Sequence, residues 1–211
     1  MDYEAKAREI LNSMTLAEKI GQMCLGFISN ENLNEMLEAI RQGKYGAYLT
    51  YADFSDKKDM HDKIMQASRE SRTGIPVLYG KDVIHGHFTV FPIGLGMAAG
   101  FNPEFAEKVF SFIAEEASSE GIFWTFSPMI DVARDPRWGR IAEGFGEDTY
   151  LTSRMAEAAV WGLQGRDPEA LGKQEKILAC PKHFIGYGAV EGGRDANTAE
   201  ISQHTLMNAY F

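Results

Sequence analysis

The sequence predicts an α/β fold in which strands and helices alternate, and three observations lead to this prediction. Short apolar runs typical of strands occur near residues 46–50, at 76–79, from 121 onward and at 177–180. Segments with helical spacing of apolar residues separate these runs. Chemically reactive side chains directly follow three of the four runs. Strands alternating with helices of roughly 10 to 18 residues predict a parallel sheet of βα units.

The positions of the reactive side chains favour a barrel over an open sheet. Asp82 follows the second predicted strand, a charged segment at 134–143 follows the third, and Lys182 and His183 follow the fourth. In a (β/α)8 barrel this is the catalytic face, whereas a doubly wound sheet is expected to carry a GxGxxG loop near its first strand. No such loop is present. Eight units typically need about 250 residues, but four units and the leading helices already use all 211. The sequence therefore predicts the first half, about four βα units, of a TIM-type (β/α)8 barrel.

Three helices are expected in the amino-terminal part, and the first is a short amphipathic helix near the amino terminus. Thr15 and Glu18 form a capping box, which predicts a helix from there to about Met23. The third helix, ended by Gly43, has one apolar face with residues at i, i+3, i+4 and i+7. That face consists of Leu33, Met36, Leu37 and Ile40.

Further helices are expected at about 55–69, from Asn102, at about 149–162 and from near Ser202, with a polar loop through Gln174. The helix at Asn102 has proline at its first position and a carboxylate in its first turn, both typical of a helix start. Its buried face is expected to comprise Phe105, Val109, Phe112 and Ile113.

Composition restricts the class of protein and its partners. The net charge of −9 and the lack of clustered Lys and Arg argue against a nucleic-acid partner. No run of about 18 apolar residues is present, so no membrane span is expected, and the first residues lack the pattern of a signal peptide. We therefore expect a cytoplasmic protein, or a periplasmic or secreted one whose signal peptide has been removed. Cys24 and Cys180 lie in apolar runs and are expected to be buried free thiols.

Four residues are candidates for ligand binding. Asp82 could accept hydrogen bonds from a ligand, act as a general base or cap a loop. Arg140 follows Gly139, which lacks side-chain bulk and leaves the guanidinium able to reach a ligand. Lys182 and His183 place two donors at a strand end, although a snorkelling lysine beside a buried neutral histidine would fit the same spacing.

Most other charges near Arg140 are interpreted as an ion-pair network that pins a long loop. This network would combine Arg134 and Arg137 with Asp131, Asp135, Glu143, Glu147 and Asp148.

A histidine pair raises a further alternative. His85 and His87 are separated by one glycine and would share a face of an extended segment, as metal ligands often do. No Cys or further His follows at ligand spacing. A metal-dependent barrel hydrolase using these two residues with His183 is therefore the least favoured hypothesis, and no metal or cofactor is predicted.

Five segments together carry a resemblance to a known family. The chain from about residue 8 to 211 resembles the amino-terminal barrel domain of glycoside hydrolase family 3, in its bacterial β-glucosidase branch. RDPRWGR, EGFGED and KHF at this separation are the most specific motifs. The segments are MTLAEKIGQM (14–23), KDVIHG (81–86), FPIGLGMAAGFNPE (91–104), SPMIDVARDPRWGRIAEGFGEDTYLTSRMA (127–156) and KHFIGYGAVEGGRDANT (182–198).

The resemblance implies a pocket for a nonreducing-end sugar. Asp82 would accept hydrogen bonds from sugar hydroxyls, Arg140 would donate to a ring hydroxyl, and Lys182 with His183 would clamp the remaining hydroxyls. The segment that begins KHF would contain non-proline cis peptide bonds. The N-acetylhexosaminidase branch carries KHFPGHG, whereas this chain has KHFIGYG. Glucosidase or xylosidase specificity towards a β-glucoside or oligosaccharide therefore fits better.

The resemblance also implies that the bond-breaking groups lie elsewhere. A retaining glycosidase uses two carboxyl groups about 5–5.5 Å apart. In the family the nucleophile follows a later barrel strand and the acid/base comes from an α/β-sandwich domain. Residues 1–211 would then be the amino-terminal half of a barrel domain, with no catalytic residue assigned here.

We expect the isolated chain to be inactive. Its open sheet edges would pair with a second chain carrying the rest of the barrel, or with another copy. The alternative is a noncatalytic half-barrel that folds and associates without hydrolysis.

Overall fold

The computed structural model describes residues 3–51, 57–172 and 175–211. The chain divides into two compact units, residues 1–81 and 82–211. The start of the helix expected at about 55–69 and the end of the loop expected through Gln174 lie outside the described residues. None of the helices described is long and apolar enough to cross a membrane.

The first unit is a small parallel sheet with helices between its strands. Its strands follow the order β1-β2-β3, with Leu25 opposite Ala47 and Ala47 opposite Leu78. The unpredicted β1 has three residues, too few for a periodic signal. The elements are α1 (Tyr3–Ser13), α2 (Leu16–Gln22), β1 (Leu25–Phe27), α3 (Leu33–Arg41), β2 (Ala47–Leu49), α4 (Lys57–Glu70) and β3 (Leu78–Lys81).

Local signals correctly predicted the start of α2 and the buried face of α3. The Thr15 backbone N–H donates to Glu18 Oε2 at 2.8 Å, and the Glu18 N–H donates to Thr15 Oγ1 at 3.3 Å, which confirms the capping box. A hydrogen bond from Arg72, followed by that from the Thr15 backbone, lowers the pKa of Glu18 to about 2. On α3, Met36 and Ile40 are buried in the core of this unit.

The second unit places helices around short extended segments. Its elements are α5 (Gly94–Ala98), α6 (Pro103–Ser119), β4 (Trp124–Thr125), α7 (Thr149–Gln164) and α8 (Gln203–Thr205), with short 3-10 turns between them and a π-helical turn at Leu206–Tyr210. The Asn102 side chain accepts a hydrogen bond from the Phe105 N–H at the start of α6, as expected for its cap.

The buried face of α6 differs from the prediction at two positions. Val109 and Ile113 are buried as expected, but Phe105 and Phe112 are 47% and 59% exposed. Helix α7 approaches α6 closely at Gly162, where a Cβ atom would lie 2.5 Å from the Glu107 carbonyl oxygen. The buried face of α6 also includes Phe110, whose Cβ lies beside Gly162, together with Ala106, Ala114 and Ala117.

The predicted strand at 177–180 is an extended segment beside β4. Leu178 forms a parallel bridge with Trp124, and Lys182 forms one with Met129. The Ile130 N–H donates to the Lys182 carbonyl at 2.7 Å. The carboxyl ends of the two segments therefore lie side by side, as expected for consecutive parallel strands.

Some smaller predictions can also be checked. Non-proline cis peptide bonds occur at Lys182–His183 and Phe184–Ile185, in the segment where the resemblance implied them. Cys24 and Cys180 are free thiols, but both are half-buried rather than buried.

Candidate functional site

Two of the four candidate residues form an ion pair. Lys182 Nζ donates to Asp82 Oδ1 at 2.9 Å, although the two residues are 100 positions apart in sequence. The Lys182 and Asp82 side chains are 17% and 32% exposed. The pair is therefore sheltered but still accessible to a ligand.

His183, next to Lys182, is held by a buried carboxylate. Asp131 Oδ2 lies 2.9 Å from His183 Nδ1 and also accepts the His183 main-chain N–H at 3.2 Å. The Asp131 side chain is 1% exposed and that of His183 is 34% exposed. The nearby arginines predict an ion-pair network for Asp131 within its own loop, but the structure pairs it with a histidine on the neighbouring segment.

Arg140 is oriented by Glu143. Its Nε and Nη2 atoms donate to the two Glu143 carboxylate oxygens at 2.8 and 2.9 Å. The hydrogen bonds from Arg140 to Glu143 raise the pKa of Arg140 above its usual range. Two of the Arg140 guanidinium nitrogens that we expected to face a ligand therefore bind Glu143 instead. A Cβ atom at Gly139 would meet nothing within 4 Å, so crowding does not explain that glycine.

The expected loop network is present in part. Arg137 Nη2 lies 2.7 Å from Asp135 Oδ2, as an ion pair that pins the loop would require. Asp148 instead caps α7 by accepting the Leu151 N–H. The Arg134 guanidinium lies over the Tyr210 ring, 5.7 Å from its centroid.

The Tyr187 ring connects Arg140 with His183. The His183 ring meets it edge to face with centroids 4.8 Å apart, and the Arg140 guanidinium carbon lies 5.7 Å from its centroid. The buried Trp138 ring packs on it at 5.2 Å. The four candidate residues therefore form two groups. Asp82 contacts Lys182 in the first, and the Tyr187 ring connects His183 with Arg140 in the second. The Lys182–His183 peptide bond joins the two groups.

Asp195 fixes the two aromatic rings. Its Oδ1 atom accepts hydrogen bonds from the Tyr187 hydroxyl at 2.6 Å and from Trp138 Nε1 at 2.9 Å. These hydrogen bonds, that from Tyr187 first, lower the pKa of Asp195. The two loops approach so closely that a Cβ atom at Gly193, where φ is +66°, would lie 2.7 Å from the Trp138 nitrogen.

A cavity of about 280 Å³ lies beside this group. Among the described residues, two buried side-chain oxygens have no hydrogen-bond partner, Asp131 Oδ1 and Thr152 Oγ1. Both residues line the cavity, together with Ile130, Val132, His183 and Phe184.

The three histidines of the metal hypothesis contact separate partners. His85 Nδ1 lies 3.1 Å from the Phe91 carbonyl oxygen, and His87 Nε2 lies 3.0 Å from Glu120 Oε2. His183 contacts Asp131. Within the described parts of the chain, no cluster of three or more His, Cys, Asp or Glu side chains could hold a metal ion.

Sequence reasoning overlooked Asp131, Tyr187 and Asp195 as members of this group. Asp131 precedes a run of arginines, which suggested arginine partners. In the sequence, Tyr187 shows only a difference from the KHFPGHG motif. The glycine-rich spacing around Tyr187 and Asp195 was a usable signal, because glycines that recur in a loop often mark a close approach to another segment.

Comparisons with known proteins identify relatives of this chain. Residues 15–211 match the model of the glycosyl hydrolase family 3 N terminal domain. The chain is 43% identical to a periplasmic beta-glucosidase of Salmonella typhimurium, over 98% of this chain and 26% of that protein. It is 33% identical to a putative beta-xylosidase of Formosa agariphila, over 100% of this chain and 30% of that protein.

Solved structures give the same result. The beta-glucosidase of Listeria innocua in complex with glucose superposes with a TM-score of 0.85 and 36% identity, over 98% of this chain and 30% of that chain. An exo-1,3/1,4-beta-glucanase of a Pseudoalteromonas species gives a TM-score of 0.87 at 29% identity, over 98% of this chain and 28% of that chain. The chain thus spans about a third or less of the length of these relatives. The predicted fold class, an α/β chain of βα units like the first half of a TIM-type barrel, is confirmed, and the chain belongs to glycosyl hydrolase family 3.

Proposed function

We propose that this chain supplies the sugar-binding wall of an enzyme that removes terminal nonreducing β-D-glucosyl, or related β-glycosyl, residues with retention of configuration. The observation that carries this proposal is the sheltered Asp82–Lys182 pair, with His183 directly beside it. Relatives named as glucosidases and xylosidases support the substrate class.

The chemistry of the site suits a ligand rich in hydroxyl groups. A hydroxyl both donates and accepts hydrogen bonds, and bonds to charged partners are the stronger ones. In the proposed complex Asp82 accepts from sugar hydroxyls, whereas Lys182 and Arg140 donate to them. His183 completes the set beside Lys182. Lys182 and Arg140 each already hold a carboxylate in place, so their side chains are oriented before a sugar binds.

We assign neither catalytic carboxylate to this chain. Asp82, Asp131 and Glu143 are each engaged by Lys182, His183 or Arg140. A retaining glycosidase instead needs a carboxylate nucleophile and a separate acid/base about 5–5.5 Å apart. We propose that the rest of the barrel, on a second chain, supplies the nucleophile and that an α/β-sandwich domain supplies the acid/base, with self-association of this chain as the competing arrangement. The name of the Salmonella relative supports a periplasmic location.

The test is turnover of an aryl β-glucoside by the purified chain, alone and mixed with a second polypeptide that carries the remaining barrel strands and the α/β-sandwich domain. The expected result is no turnover alone, and turnover with a β-anomeric first product, seen by proton NMR, in the mixture. Turnover by the chain alone would show that a catalytic carboxylate had been overlooked. A mixture that associates in light scattering without turnover would favour the noncatalytic half-barrel.

Variants test the binding wall in the active mixture. Asp82→Ala or Lys182→Ala should lower kcat/KM by about 100-fold or more, if the hydroxyl contacts strengthen in the transition state. Asp135→Ala is the matched control, because its ion pair with Arg137 lies in the loop and not at the Asp82–Lys182 pair. Equal kinetics for all three variants would remove Asp82 and Lys182 from the site.

A further inference from the structure

Asp131 is a deeply buried carboxylate of the site. The proposed function gives it no role in binding the sugar. Its side chain is 1% exposed. Among the described residues it accepts hydrogen bonds from His183, through the main-chain N–H and the imidazole. Its second oxygen, Oδ1, has no partner among the residues that the structure describes. Burial of a carboxylate carries a large desolvation cost, and the contacts with His183 offset part of that cost.

The geometry determines which imidazole nitrogen carries the proton. Asp131 Oδ2 accepts the His183 main-chain N–H, so this oxygen acts as an acceptor. The same oxygen lies 2.9 Å from Nδ1, and a hydrogen bond there requires the proton on Nδ1. The edge-to-face contact with Tyr187, at an interplanar angle of 88°, restrains the plane of the ring.

We propose that Asp131 is a positioning residue, which holds His183 with its proton on Nδ1 and thereby leaves Nε2 as a hydrogen-bond acceptor for a ligand hydroxyl. Lys182 and Arg140 can only donate. His183 in this state adds an acceptor to that side of the site, beside the one that Asp82 provides. The ligand group that faces His183 must then itself carry a hydrogen to donate. The kinetic consequence rests on the proposed function, but the position of the proton does not.

Nitrogen-15 NMR of histidine-labelled protein measures the proton position directly. The His183 signals are identified by their loss in His183→Gln. At a pH where the imidazole is neutral, we expect Nδ1 to have the shift of a protonated nitrogen and Nε2 that of an unprotonated one. In Asp131→Ala the two shifts should converge as the tautomers exchange, whereas Asp135→Ala should leave them unchanged. A proton on Nε2 in the unaltered protein would overturn the proposal, even if the enzyme proves to be a glucosidase.

Asp131→Asn is a second variant, which we expect to fold because it retains the shape of the side chain. Its amide oxygen should face His183, since the main-chain N–H needs an acceptor there, and the Nδ1–H tautomer should persist. If Asp131→Ala does not fold, the spectra of the unaltered protein and of Asp131→Asn decide the question. A tautomer inverted in Asp131→Asn would contradict the proposed role of the main-chain N–H.

Kinetics of the active enzyme test whether Asp131 acts through His183. Asp131→Ala should lower kcat/KM by about 10–100-fold, the range seen when a metal-ligand histidine loses an orienting carboxylate. In a His183→Ala background the same change should have almost no effect, because contacting residues that act together are not additive. Losses that simply multiply in the double variant would show that Asp131 affects the fold and not His183.

Discussion

The Asp82–Lys182 pair allows a quantitative prediction about stability that does not depend on activity. The perturbations are Lys182→Met, which retains the length and packing of the side-chain stem, Asp82→Asn, and the two together. A double-mutant cycle then isolates the energy of the pair from the other effects of each substitution.

The magnitude follows from the separation and the exposure. At 2.9 Å, two unit charges attract by about 1.4 kcal/mol in bulk water and by about 5.7 kcal/mol at an effective dielectric of about 20. Exposures of 17% and 32% place the pair between these limits, and loss of hydration offsets part of the attraction. We expect a coupling free energy of about 1–2 kcal/mol, above the range of about 0.2–1 kcal/mol for fully exposed pairs.

Urea unfolding followed by tryptophan fluorescence, at one fixed protein concentration, measures this coupling. The Arg137–Asp135 pair is the control, since its arginine is 71% exposed and its coupling should be smaller than that of Asp82–Lys182. A coupling at Asp82–Lys182 no larger than that of the control would refute the reasoning from burial.

Three further predictions follow from local geometry. Acid should destabilise the first unit, because the hydrogen bond from Arg72 lowers the pKa of Glu18 to about 2 from its usual value of 4.5. The contribution of ionised Glu18 to stability is complete above pH 4.5 and is lost as the pH falls towards 2. Arg72→Met should flatten this part of the pH profile in urea titrations, and an unaltered profile would contradict the assignment. Gly193→Ala should lower the free energy of unfolding by about 2 kcal/mol, or Tm by roughly 4–8 °C, because φ is +66° and the new Cβ would meet the facing backbone. Gly192 has φ +65°, but a Cβ there would have no contact under 3.6 Å. Gly192→Ala should therefore lower the free energy of unfolding, measured by calorimetry, by less than Gly193→Ala. Equal losses in the two variants would mean that φ and not the clash is responsible. Tyr187→Ala should lower kcat/KM by about tenfold or more, because the ring contacts the histidine and the arginine of the site. Tyr187→Phe should cost less, because it retains the ring and loses only the hydroxyl, which bonds to Asp195. Similar losses in both variants would assign the effect to the hydroxyl.

Predictions from the sequence held where the determining contacts were local. The capping box of α2 depends on Thr15 and Glu18, three residues apart, and the structure contains both of its hydrogen bonds. The face of α3 was also correct, because helical spacing alone brings Met36, Leu37 and Ile40 together. The three residues of β1 are too few to show alternation, so their strand was missed.

Predictions failed where a distant segment decided the outcome. Helix α7 approaches α6 at Gly162, beside Phe110. Phe110 is therefore buried, whereas Phe105 and Phe112 are exposed. The role of Asp131 was missed for a related reason. Arginines follow it from position 134 onward, but its partner His183 is 52 positions away.

The sequence by itself determined the family, the α/β class and the four candidate binding residues, because each of these depends on motifs or on strands that end in reactive side chains. Only the tertiary structure decided how the charges pair. Lys182 bonds to Asp82 and His183 bonds to Asp131. The Tyr187 ring lies between His183 and Arg140. The physical reason is that spacing along a chain restricts which residues can follow a strand, whereas hydrogen-bond partners are chosen by burial and by the approach of separate loops.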